Sequence, residues 1–200
     1  SSILAACAFS AAVLSGNGVP LQAQTSVGIR ADSARRFTEA DVRFMQGMIG
    51  HHAQALAMTS LVPTHSMRRD LRLLAERIEA SQHDEITMMQ RWLKDRGQEA
   101  PAAGAPHDHH DMSEVHALMP GMLTAAELAR LTAATGADFE KQFLFFMIRH
   151  HEGALTMVKQ LLSSQGAAQE PEIFRFVSDV DADQSAEIKR MRTMQSSTRK

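Results

Sequence analysis

The chain repeats itself, and the repeat limits what it can fold into. Met48-Ile49-Gly50-His51-His52 returns as Met147-Ile148-Arg149-His150-His151, 99 residues later (150 − 51). The surroundings return in register: Asp41 with Glu140, Phe44 with Phe143, Ala55 with Ala154, Met58 with Met157. A second motif, Gln82-x-x-Glu85-Ile86-x-x-Met89, returns as Gln184-x-x-Glu187-Ile188-x-x-Met191 at an offset of 102 (184 − 82). The three extra residues fit a loop around Gly166 and Pro171, so the duplicated unit is a pair of segments, not one short motif.

Both segments of each unit read as helices. Thr38-Glu39-Ala40-Asp41 supplies an N-cap and first-turn acids. Phe44, Met48, His52, Ala55, Thr59 and Val62 then recur at helical spacing until Pro63 ends or kinks the run. A second helical pattern runs from about Met67 to Lys94 through Leu71, Leu74, Ile78, Glu85, Met89 and Trp92, with Gly97 as its stop. Thr124-Ala125-Ala126-Glu127 resembles a capping box for a short helix to about Ala134. The second unit continues from about Ala137 to Ser164, and from Pro171 to about Met194. Nothing alternates like a strand. The expected fold is an all-α bundle of two repeated helical hairpins, repeat one over 38–96 and repeat two over 124–194, joined by a His- and Met-rich linker over 97–123.

Composition narrows the partners. A formal net charge of −2 offers no basic stripe for phosphates, Tyr is absent and Trp92 stands alone, so nucleic acid is not expected. Residues 1–23 read as an export leader: an apolar run from Ile3 to Leu14, a Ser-Gly-Asn-Gly breaker and a small-residue cleavage site after Ala23. That run is too short to span a bilayer. A competing reading takes Leu4-Ala5-Ala6-Cys7 as a lipobox, with Cys7 carrying a lipid anchor. Residues 24–37 are polar and expected to be disordered. Cys7 is the only cysteine, so cleavage after Ala23 leaves no thiolate site and no disulfide. All 13 methionines and all 10 histidines lie beyond the leader, and both suit an oxidising compartment, periplasmic or secreted.

At about 100° per residue, Met48 and His52 sit one turn apart on the apolar stripe, as do Met147 and His151. His51 and His150 fall on the flank of that stripe, beside Met58 and Met157. Each repeat thus offers imidazole and thioether together, a set that suits Cu(I) and Ag(I) better than Zn, Mn or Fe. The bland alternative is core packing, for which methionine is well suited. Glu85 and Glu187 could take the other N–H of a ligand histidine. Asp41 and Glu140 are candidates for the same role, or are first-turn acids favoured by the helix dipole. In the linker, His107, His109, His110 and His116 form a tract of the kind that binds Cu(II) adventitiously, and Met119 and Met122 have little packing reason to sit in a loop.

At these residues the chain resembles the domain-of-unknown-function 305 family, an export-type bacterial group that includes CopM-like copper-binding proteins. The likeness covers residues 38–194. Its pieces are Asp41-x-x-Phe44-x-x-x-Met48-Ile49-x-His51-His52-x-x-Ala55-x-x-Met58, Met119-x-Gly121-Met122, Gly136-x-x-Phe139-Glu140, Phe143-Leu144-x-x-Met147-Ile148-x-His150-His151-x-Gly153-Ala154-x-x-Met157, and the two Gln-x-x-Glu-Ile-x-x-Met stretches. Glu140 stands where the family usually has Asp. The resemblance implies a ferritin-like, antiparallel four-helix bundle that handles copper or silver in the periplasm. It carries Met48, His51, His52, Met58, Met119, Met122, Met147, His150, His151 and Met157 forward as candidate ligands.

The expectation is a copper-binding protein that sequesters Cu(I) or Ag(I), or hands it to a transporter or chaperone, and catalyses nothing. The competing readings are a metal-free helical interaction module and a copper redox enzyme. A di-iron oxidase is disfavoured, because no Glu-x-x-His pair occurs in the chain. One geometric question stays open. A dyad along the bundle axis would put the two His pairs at one level, whereas a perpendicular dyad would separate them unless they lie near the bundle's middle.

Overall fold

The structure, a computed structural model, describes residues 37–103 and 119–197. Its helices, in chain order, are α1 (Glu39–Thr59), the single turn α2 (Val62–His65), α3 (Arg69–Asp95), α4 (Ala125–Ala133), α5 (Gly136–Leu162) and α6 (Pro171–Ser197). No strand occurs among the described residues, and no helix there is long and apolar enough to cross a membrane. The leader, Cys7 and linker residues His107, His109, His110, Met112 and His116 lie outside the described residues.

Local chemistry sets the boundaries. Thr38 and Asp41 form a reciprocal capping box at the start of α1, and Thr124 and Glu127 form another at the start of α4. α1 stops at Thr59, ahead of Pro63, because the proline belongs to the first turn of α2, where its missing N–H has no helical partner to lose. After α3, Gly97 takes a left-handed φ of 66°, the conformation that closes a helix C-terminus.

α1 packs on α3, α5 packs on α6, and the two hairpins meet along α1 and α5. The buried apolar residues form two clusters, and their membership fixes the arrangement. One cluster joins Phe44–Ile49 of α1, Ile86–Leu93 of α3, Ala154–Leu161 of α5 and Ile173–Val180 of α6. The other joins Ala55 and Met58 of α1, Leu71–Ile78 of α3, Phe139–Met147 of α5 and Ile188–Met194 of α6. The first half of α1 therefore shares a core with the second half of α5, so these helices run antiparallel. The pseudo-dyad is perpendicular to the bundle axis. Between the clusters, at mid-height, lies a buried polar belt: His51, His52, Gln82, His150, His151, Gln184 and Glu187, with Glu85 at its edge.

Two equivalent clamps tie each hairpin to the other. Asp41 is fully buried, and its Oδ1 accepts the backbone N–H of Ala168 at 2.8 Å in the α5–α6 loop. Glu140, its counterpart, accepts the Ser66 hydroxyl at 2.6 Å in the α2–α3 loop. Ser66 and Ala168 themselves correspond at the 102-residue offset. Ala168 has a left-handed φ of 54°, unfavourable for a residue with a Cβ, and the Asp41 carboxylate holds it there. Asp41→Ala should destabilise the fold by about 2–4 kcal/mol, combining a lost cap with a buried N–H left unpaired. Chemical denaturation followed by circular dichroism checks this. A loss below about 0.5 kcal/mol would show that the clamp carries no weight.

Candidate metal centre

Each helix stripe delivers its histidines to the belt in two ways. His52, next to Met48 one turn away, turns toward its own hairpin, where Nε2 donates to the Glu85 carboxylate. His151 does the same with Glu187, at 2.7 Å. The flanking pair behaves differently. His51 and His150 turn toward each other across the hairpins, their ring centroids 3.8 Å apart and their planes tilted by 35°. All four imidazoles have no solvent exposure. The flank of each stripe is buried because α1 and α5 cross there.

Hydrogen bonding fixes the tautomers. His51 Nε2 donates to the Pro120 carbonyl at 3.0 Å, so in the neutral ring its Nδ1 carries a free lone pair. His52 and His151, donating through Nε2 to carboxylates, present Nδ1 in the same way. None of these three Nδ1 atoms has a partner, nor does either nitrogen of His150. The other unpartnered buried side-chain atoms are the Gln82 amide N and O, the Gln184 amide O and Arg149 Nε. Among the described residues, every such atom belongs to one of the two duplicated motifs. Leaving a buried polar atom unpaired costs about 1–3 kcal/mol, so the concentration marks a place built for a partner.

The methionines divide. Met48, Met58 and Met147 are fully buried in the apolar clusters. Met119 and Met157 come together beside α1: a Cβ on Gly47 would stand 3.3 Å from Met119 Sδ and 3.6 Å from the Met157 methyl. Met122 is half-buried, and its carbonyl accepts from Arg149 at 3.4 Å. Among the described residues no three His, Cys, Asp or Glu side chains converge as a ready-made metal site.

Two expected supporting carboxylates are elsewhere. Asp41 and Glu140 are engaged in the hairpin clamps at the helix starts, about three turns from the histidines, which leaves Glu85 and Glu187 as the carboxylates at the imidazoles. His65, outside the motif, has an ordinary structural role, with its ring nitrogens on Leu61 O and Thr132 O. Sequence reasoning passed over Gln82, Gln184, Gln54, Gly153 and the Pro120 carbonyl. The two glutamines carried a signal, since they stand in the repeated Gln-x-x-Glu motif. The backbone carbonyl carried none.

The sequence profile described as "Domain of unknown function (DUF305)" matches residues 41–195. The chain belongs to the DUF305 family. Among solved structures it is similar to a DUF305 fragment from Deinococcus radiodurans, with 34% identity, 79% of this chain and 96% of that chain covered, and a TM-score of 0.67. It is similar to a DUF305 protein from Streptomyces coelicolor described as secreted, with 28% identity, 76% and 89% coverage, and a TM-score of 0.64. It is also similar to CopM in a Cu(II)-bound form, with 28% identity, 77% and 94% coverage, and a TM-score of 0.60. CopM has further been solved with Cu(I) and with Ag. No curated protein matches the chain.

In this DUF305 protein the crossing of α1 and α5 also controls protonation. Burial, then the neighbouring His52 and His151, push the His51 imidazole down to about 3, against a smaller upward pull from its bond to Pro120. His150 is held well below its ordinary value by burial first, then by His51, His151 and His52. The His51 backbone pulls the other way but lies outside hydrogen-bond geometry. His51 and His150 are thus each within electrostatic reach of His52 and His151.

In the unfolded chain both imidazoles take up a proton below about 6.5, whereas the fold keeps them neutral. The unfolded state then binds more protons, so stability rises with pH across that window. The metal-free protein should hold this contribution fully above pH 6.5 and lose it progressively as pH falls toward about 3. Urea midpoints between about pH 7.5 and about pH 4.5 should fall steeply for the wild type and less steeply for His150→Asn. Parallel slopes would contradict the buried neutral pair.

Proposed function

We propose that this protein binds Cu(I) or Ag(I) at the belt and sequesters the ion or hands it on, outside the cytoplasm and without catalysing a reaction. The observation that carries this reading is the set of buried imidazole lone pairs without partners, three of them aimed by an N–H bond on the far nitrogen. A ligand histidine commonly donates its second N–H to a carboxylate or carbonyl, which fixes the tautomer and raises the basicity of the metal-binding nitrogen. Thioethers beside those rings favour the soft, monovalent ions. The ion is cargo, and a binding protein needs only neutral, desolvated ligands that stay deprotonated. Burial provides that for His51 and His150.

Likeness to CopM, a structure with 25–28% identity in its Cu(II)-, Cu(I)- and Ag-bound forms, supports the choice of ion. The relative described as secreted supports an exported setting, in line with the leader expected over residues 1–23. A metal-free interaction module would leave the same lone pairs buried with nothing to pair them, at a cost that plain apolar side chains avoid. A downstream transporter or chaperone would take the ion from the centre.

Anaerobic Cu(I) titration against a chromophoric chelator tests the reading. Wild type should compete for the ion, and Glu85→Gln and Glu187→Gln should each bind about 10- to 100-fold more weakly, the range for groups that orient a ligand. Ag(I) at about 100 times its dissociation constant should stabilise the fold by about 2.7 kcal/mol. An unchanged melting temperature together with no competition for Cu(I) would sink the proposal.

A further inference from the structure

The two halves obey the 99-residue offset, but Met119–Leu123 have no counterpart among the described residues. Residues Met119–Leu123 lie as a strap along the α1–α5 groove, on one side of the pseudo-dyad. Pro120 O accepts from His51 Nε2 at 3.0 Å, and among the described residues nothing equivalent reaches His150, whose ring nitrogens have no hydrogen-bond partner.

The residues that seat the strap are those at which the halves differ. Gln54 exchanges two hydrogen bonds with the Leu123 backbone, donating at 3.0 Å and accepting at 2.7 Å. Its counterpart at the 99-residue offset is Gly153. There the strap comes so close that a Cβ would stand 1.9 Å from Pro120 O and 2.8 Å from Gly121 Cα. Gly121 takes a left-handed φ of 78°, and a Cβ on it would meet Arg149 O at 2.4 Å. Glycine in a helix interior weakens the helix, so Gly153 needs a reason, and the strap supplies it.

Gly47 and its counterpart Phe146 make the same distinction. Gly47 leaves space for Met119 Sδ beside the Met157 methyl, one turn from His51. Phe146 is buried in the apolar cluster that also holds Met58, the counterpart of Met157. The space that Gly47 leaves for the Met119 sulfur beside Met157 is, in the other half, the position of the Phe146 side chain.

We propose that the strap makes the centre one-sided, with Met119 and Met157 as its soft pole next to His51, and with Gly47, Gly153 and Gln54 as the positioning residues that seat it. Met58, at the equivalent place in the other half, serves packing. The inference rests on reading the belt as a Cu(I) or Ag(I) site, and it names which thioethers select the soft ion.

The test is Ag(I) affinity by competition, combined with methionine methyl NMR of the intact chain. Met119→Leu, Met157→Leu and Gly153→Ala should each weaken Ag(I) binding by at least about tenfold, while Met58→Leu should change it by less than about twofold. Only the Met119 and Met157 methyls should shift with the ion, a signature that a merely structural role would not produce. If Gly153→Ala does not fold, Gln54→Ala removes only the strap hydrogen bonds and carries the same expectation. Equal losses for Met58→Leu and Met157→Leu, or an unmoved Met119 methyl while wild type binds Ag(I), would overturn the one-sided centre and leave the binding reading intact. Failure of wild type to bind Ag(I) would overturn both.

Discussion

The structure depends on a polar belt buried at mid-height between two apolar clusters. Four imidazoles, two glutamines and two glutamates meet where α1 crosses α5, and the pseudo-dyad passes through them. Apolar side chains in their place would pack the bundle without desolvating polar groups, so the belt is a local cost that the two flanking clusters offset. The Asp41 and Glu140 clamps act in the same sense, holding the crossing in register from both ends. A slip of either helix along the other would separate His51 from His150.

The belt also explains why the two histidines of one motif have different roles. Neighbours in sequence point about 100° apart on a helix, so their rings meet different partners here. His52 and His151 are orientated within their own hairpins by Glu85 and Glu187, and His51 and His150 meet between hairpins. A metal ion bound near His51 and His150 would therefore bridge the hairpins, and binding would be coupled to their docking. Soft-ion binding and stability would then be linked through one interface.

Much of this was legible in the sequence, for identifiable reasons. Helical spacing and the capping residues Thr38 and Thr124 gave the helices to within a few residues, and the duplicated motifs gave the hairpin pairing. The central position of His52 and its neighbour Glu85 followed from the stripe. The direction of the dyad did not follow, because hairpins with identical sequences can dock either way. Asp41 and Glu140 could not be decided between two roles, because a first-turn acid and a carboxylate supporting a ligand look alike in one dimension. The clamps become visible only when loops 100 residues distant fold onto them. The strap was equally hidden. Its grip on His51 is a backbone carbonyl, which no side-chain pattern announces, and the Gln54–Gly153 difference gains meaning only once both are seen against it.

The most direct measurement is anomalous diffraction from a crystal of the full chain loaded with Ag(I). The strongest peak is expected inside the belt between α1 and α5, within bonding distance of Nδ1 on at least one of the unpartnered histidines and of a methionine sulfur. Silver confined to exposed groups such as Met67, which is 85% exposed, with none in the belt, would contradict the buried metal centre.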